Sequence, residues 1–181
     1  MIDARSQTSP VSLTLPDEQA TEALAASFAP LLCGQQVGVP KGGRIHLRGD
    51  LGAGKTSFVR ALLRASGIQG RIKSPSYALL ESYNLSSLHF YHLDFYRFSD
   101  SREWLDAGFR DILQDDSIVL IEWPEQAGEL LPPPDLDIQI KHEDEGRSAV
   151  LTPYSDKGSL WLTTLFPAKP APHLPTSQDG A

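Results

Sequence analysis

The octapeptide Gly49-Asp50-Leu51-Gly52-Ala53-Gly54-Lys55-Thr56 spells G-x-x-x-x-G-K-[ST], and this pattern is chemically useful only between a strand and a helix. The flanks supply both. Residues 44–48 (Arg-Ile-His-Leu-Arg) read as a strand. Residues 55–64 read as a helix that buries Phe58, Leu62 and Val59. In that setting successive backbone N–H groups point into a concave nest, and the start of the helix adds partial positive charge. Lys55 would reach the β- and γ-phosphates of a nucleoside triphosphate, Thr56 would offer its hydroxyl to Mg²⁺, and Ser57 would follow them on the first helical turn. The motif therefore predicts triphosphate binding and restricts the fold to an α/β class.

A phosphate loop of this kind needs an acidic residue at the end of a neighbouring strand to hold the magnesium shell. Residues 118–121 (Ile-Val-Leu-Ile) form an apolar run of the sort expected when a strand is covered on both faces, and Glu122 ends it just before Trp123-Pro124. Carboxyl ends of parallel strands line the ligand crevice, which would bring Glu122 beside Thr56. A glutamate that merely ends a core strand would leave the same pattern. Asp94 closes a second strand, 88–94, among aromatic residues. It would orient the attacking water or join the magnesium shell. Asp94, Glu122 and Lys55 are thus the expected catalytic groups, and Thr56, Glu122 and Asp94 the expected metal site. His89 and His92 do not suggest a metal pair, because residues three apart on a strand point to opposite faces. Ser74-Pro75-Ser76-Tyr77 places two hydroxyls in a kinked loop that would sense a γ-phosphate by ordering, or would serve only as a connection.

Around these points the 181 residues suffice for one well-packed domain. Residues 1–10 read as a flexible N-terminus, 11–166 as the nucleotide-binding domain, and 167–181 as a disordered tail rich in Pro and Ala. Within the domain a strand is expected at 11–15 and a helix from Pro16-Asp17-Glu18 to about Leu32, with Ala20, Leu24, Phe28 and Leu31 or Leu32 on its inner face. Residues 78–84 and 88–94 should pair as a hairpin, as should 135–142 and 147–154. A helix is expected at 101–107, ended by Gly108, and 159–166 is an apolar segment of undecided type. Cys33 is the only cysteine, which excludes an internal disulfide, and it reads as a small buried hydrophobe.

The formal net charge of −7 argues against sequence-independent nucleic-acid binding, so any role near RNA would run through a protein partner. No apolar run approaches the ~20 residues that cross a bilayer, and residues 1–7 lack the apolar core of a signal peptide. A cytoplasmic protein without membrane attachment is expected.

Several separated segments together resemble the bacterial TsaE family of P-loop proteins. They are Leu15-Pro16-Asp17-Glu18-Gln19-Ala20-Thr21, the octapeptide, Lys73-Ser74-Pro75-Ser76-Tyr77, Tyr91-His92-Leu93-Asp94-Phe95-Tyr96-Arg97 and Ile121-Glu122-Trp123-Pro124. They occur in the family's order and span roughly residues 11–165. The resemblance implies a P-loop NTPase-like three-layer α/β fold, with a central, mostly parallel sheet and flanking antiparallel strands. It also implies a weak Mg²⁺-dependent ATPase needed to make threonylcarbamoyladenosine in tRNA. TsaD and TsaB would be its partners, and they transfer the threonylcarbamoyl group to adenosine 37 of tRNAs reading codons that begin with A. Carried over by motif, Gly52 to Thr56 bind phosphate within the nucleotide-binding run Gly49 to Ser57, Thr56 and Glu122 hold Mg²⁺, Asp94 is a second essential acid, Trp123 lies at the nucleotide, and Asp17 to Thr21 border the adenine. One departure is Ser76, where the family usually has Thr: the hydroxyl survives, but the methyl that restricts its rotamer is lost. A small-molecule P-loop kinase is the alternative, although no Arg-rich lid stands between Asp94 and Glu122. A GTPase is disfavoured because Asn84, the only asparagine, is not in an Asn-Lys-x-Asp segment.

Overall fold

The computed structural model describes residues 8–86, 88–113 and 116–167. The expectations for residues 1–7 and for the tail from 168 onward lie outside the described residues. Seven strands form one sheet in the order β1-β7-β6-β2-β5-β4-β3. They are β1 (Val11–Leu15), β2 (Gly43–Arg48), β3 (Leu80–Leu85), β4 (Leu88–Asp94), β5 (Ile118–Glu122), β6 (Leu136–His142) and β7 (Arg147–Pro153). The pairs β6–β2, β2–β5 and β5–β4 are parallel. The pairs β1–β7, β7–β6 and β4–β3 are antiparallel. The sheet is thus parallel at its centre and antiparallel at both margins, as the resemblance implies.

Alternation along β5 explains why its sequence is apolar throughout. Ile118 and Leu120 enter one core, which α1 (Glu18–Leu32), α2 (Lys55–Ala65) and α4 (Asp156–Leu165) cover with Phe28, Phe58, Leu62 and Trp161. Val119 and Ile121 enter a second core on the other face, closed by Trp104 of α3 (Glu103–Asp106) and by Phe95, Phe98, Ala127 and Leu131. Two cores flanking one sheet make three layers. The segment of undecided type at 159–166 belongs to α4, whose N-terminus is capped by the Ser155 hydroxyl accepting the Gly158 N–H at 3.1 Å.

Three expectations need adjustment. The first strand of the expected hairpin starts at Leu80 rather than at residue 78. Leu79 has φ of 64°, and its N–H donates to the Pro75 carbonyl at 2.7 Å, so residues 75–79 close as a turn. The helix expected at 101–107 shortens to α3, because the Glu103 carboxylate accepts the Ser99 and Asp100 N–H groups and defines its start. Gly108 does end it, in a left-handed conformation that leads into a 3₁₀ turn, Phe109–Ile112. Cys33 is half-buried at the end of α1, where burial pushes its thiol pKa up. No helix among the described residues is long and apolar enough to cross a membrane.

Candidate functional site

The parallel order β2-β5-β4 brings three carboxyl ends to one edge. β2 runs into the glycine loop, and the register sets Glu122 of β5 between Leu47 of β2 and Asp94 of β4. A cleft of about 330 Å³ opens there, lined by Gly52, Gly54, Lys55, Thr56, Ser76, Asp94, Glu122 and Trp123, with Leu51 and Ser57 at its edge. Ala53 is fully buried, and Gly49 packs so tightly that a Cβ on it would stand 2.2 Å from the Ile140 carbonyl oxygen. Only glycine allows the loop to leave β2 along this path. Gly54, with φ of 111°, turns the chain into α2.

Lys55 is buried, with its ammonium donating to the carbonyls of Gly49 at 2.6 Å and Asp50 at 2.9 Å. The same ammonium lies 4.0 Å from the ring centroid of Trp123, a cation–π contact. Burial pulls the lysine pKa down, against the charges of Glu122, Glu125, Asp94 and Asp50, which hold it up. Trp123 has left-handed backbone angles, φ 56° and ψ 48°, and its ring meets Tyr96 at 5.0 Å. A non-glycine residue in that conformation is costly and tends to mark a functional position.

The carboxylates form a connected set. The Thr56 hydroxyl donates to Glu122, at 2.9 Å from Oε1 and 3.1 Å from Oε2. Asp94 Oδ1 accepts the Tyr96 N–H at 2.9 Å, and Oδ2 accepts the Ser76 hydroxyl at 3.1 Å. Ser76 is in turn 2.7 Å from Ser74 Oγ, so both hydroxyls of the kinked loop lead to Asp94. These are hard oxygen donors, which suit Mg²⁺ better than a thiophilic metal. No trio of His, Cys, Asp or Glu among the described residues forms a metal cage by itself. An ion at Thr56 and Glu122 would therefore complete its shell with phosphate and water, the usual arrangement for Mg²⁺.

The residues from 17 to 21 divide. Asp17 does not line the cleft: it caps α1, its Oδ1 accepting the Ala20 N–H at 2.7 Å. Thr21 is fully buried and accepts from Arg147 Nη1 at 3.4 Å. Sequence reasoning did not place Arg147 or Tyr96 at the site, named Glu18 only within the segment expected at the adenine, and read His92 as structural or hydrogen-bonding without a partner. Arg147 lines the cleft from β7, with its guanidinium carbon 3.3 Å from where a Cβ on Gly54 would stand. Only the folded hairpin brings it there, so no local signal exists. Glu18 also lines the cleft and accepts the Ser57 hydroxyl at 2.8 Å. His92 is fully buried, and its Nε2 lies 2.8 Å from Glu122 Oε1. Its signal was available: His92 and Asp94 are two apart on one strand and so share a face. His89 turns away and meets Asn84 at 2.8 Å.

Comparison with known proteins identifies the family of the chain. The sequence profile described as "Threonylcarbamoyl adenosine biosynthesis protein TsaE" matches residues 15–149. The chain is 38% identical over 144 residues to the tRNA threonylcarbamoyladenosine biosynthesis protein TsaE of Haemophilus influenzae, covering 80% of this chain and 90% of that protein. It is 36% identical over 109 residues to the protein of that name in Bacillus subtilis, covering 60% and 68% respectively. The crystal structure of Bacillus subtilis YdiB superposes with a TM-score of 0.66 at 26% identity, covering 89% of this chain and 97% of that one.

Proposed function

Because the chain belongs to the TsaE family and takes part in threonylcarbamoyladenosine biosynthesis, we propose that it is the slow, Mg²⁺-dependent ATPase of that process, acting on homologues of TsaD and TsaB rather than on tRNA directly. The observation that carries this reading is the convergence of Thr56, Glu122 and Asp94 beside Lys55 at the mouth of one glycine loop. Backbone N–H groups of residues 52–56 and the N-terminus of α2 would hold the phosphates of ATP. Lys55, exchanging its two carbonyl partners for phosphate oxygens, would bring a positive charge to the β–γ bridge. When bound, Mg²⁺ would supply charge neutralisation on the β- and γ-phosphates. Thr56 and Glu122 would hold it, and Asp94, fixed by Ser76 and the Tyr96 N–H, would orient the attacking water and take up its proton. Trp123 and Tyr96 would shield one wall of the site from solvent. The acid charge balance favours indirect action: TsaD and TsaB would transfer the threonylcarbamoyl group to N6 of adenosine 37 in tRNAs reading ANN codons, and ATP turnover here would reset them.

Two measurements test this. Replacing Lys55 with Ala removes the charged donor and is expected to weaken Mg·ATP binding roughly 10- to 100-fold by calorimetry. Unchanged affinity would remove the P-loop assignment. Pull-down with purified TsaD and TsaB should give association that depends on ATP. Association indifferent to nucleotide, combined with phosphate transfer to a metabolite, would identify a small-molecule kinase instead.

A further inference from the structure

β4 carries two polar side chains onto the face occupied by α2. Phe90 belongs to the core on that side, and strand alternation places His92 and Asp94 on the same face. Asp94 pairs directly with Glu122 across the β4–β5 register, and His92 reaches it from one step deeper in the sheet. The imidazole is fully buried and has one bond, from Nε2 to Glu122 Oε1 at 2.8 Å; its Nδ1 meets no partner among the described residues. Glu122 is itself buried, so its carboxylate is shared between His92 below and Thr56 above.

We propose that His92 is the positioning residue of the metal site, acting through Glu122. This rests on the nucleotide reading of the same cleft. A carboxylate oxygen accepts, so the 2.8 Å contact makes His92 Nε2 the donor, its N–H directed at Oε1. That N–H occupies one lone-pair direction of Oε1 and stops the carboxylate rotating about its last torsion. Oε2, which His92 does not touch, is then presented with the Thr56 hydroxyl toward the cleft. Without the imidazole, Glu122 would be a buried carboxylate held only by Thr56, and that hydroxyl would have to hold the carboxylate while also facing the ion. Outer-shell partners of this kind commonly change metal affinity 10- to 100-fold.

The test compares full-length wild type with His92→Phe, which fills the space without a donor, and His92→Gln, whose amide restores one. ATP binding is followed by calorimetry against Mg²⁺ concentration and, separately, in EDTA. His92→Phe is expected to raise the Mg²⁺ concentration for half-maximal binding roughly 10- to 100-fold while leaving metal-free ATP affinity unchanged. His92→Gln should recover most of the loss. A Mg²⁺ requirement that stays near wild type in His92→Phe overturns the proposal and leaves the nucleotide reading intact. Wild type that binds no ATP at any Mg²⁺ concentration overturns both. If His92→Phe does not fold, ring ¹⁵N NMR of the wild-type protein decides. A proton on Nε2 whose resonance moves when Mg·ATP is added supports the assignment, and an Nε2 without a proton, or one that does not move, overturns it.

Discussion

His46 shows how a single buried side chain can set a property of the whole chain. It lies on β2, just before the glycine loop, 3% exposed, and neither ring nitrogen has a hydrogen-bond partner among the described residues. Burial, reinforced by the charges of Arg48 and Arg44, lowers its pKa from the ordinary 6.5 to about 3. The fold therefore holds the neutral imidazole, while the unfolded chain takes up a proton below pH 6.5. The stability that His46 contributes is fully present above pH 6.5 and is lost as the pH falls toward 3, with a limiting slope of about 1.4 kcal/mol per pH unit. Urea unfolding of wild type and His46→Phe between pH 4 and 7 should show this component only in wild type. Parallel pH profiles for the two would refute it. Arg48, the next residue but one, is engaged otherwise: it bonds Asp137 at 2.6 Å and Glu125 at 3.1 Å, tying the strand before the loop to the segment after Trp123.

At the scale of the element, α1 separates a local role from a functional one. Residues 17–21 resemble the family's nucleotide-bordering segment, yet the Asp17 carboxylate is spent on the helix end, and the cleft instead receives Glu18. Capping by Asp is worth about 1 kcal/mol. Asp17→Ala should therefore lower the midpoint of thermal unfolding by an amount corresponding to about 1 kcal/mol, with Mg·ATP affinity unaltered by calorimetry. Weaker binding at unchanged stability would return Asp17 to the nucleotide. The same helix shows what periodicity can read. Leu24, Phe28, Leu31 and Leu32 are buried, as the spacing predicts, whereas Ala20 is only half-buried and Thr21 takes the inner position. An apolar pattern gives the direction of a face but not which small polar residue a neighbouring strand will accept there.

In the whole molecule, β4 and β5 belong to both cores, β4 through Phe90 on one side and Leu93 on the other. β5 sends Ile118 and Leu120 to the side of Trp161, and Val119 and Ile121 to the side of Trp104. Neither layer can come away without exposing the other face of that strand, so both should unfold in one transition. Removing Trp123 by Trp123→Phe, and then either Trp104 or Trp161 in the same way, leaves one fluorescent reporter in each core. Their denaturant midpoints should coincide within each protein's own circular-dichroism transition, and separate midpoints would show two independently unfolding layers. The site gains from this construction, because Glu122 ends a strand that is anchored on both faces.

The glycine loop, its flanking strand and helix, the two acid-ended strands and both hairpins were legible in the sequence, because each depends on neighbours within a few residues: φ angles only glycine tolerates, alternation, and turn chemistry. So was the pairing of Glu122 with Thr56, since parallel strands must end on one edge. What only the tertiary structure decided was which distant side chains share that edge. Arg147 comes from a hairpin on the far side of β2, His92 reaches Glu122 through the β4–β5 register, and Asp17 turns away to cap its helix. Strand order and register are long-range properties, settled by the packing of two cores that no local pattern contains.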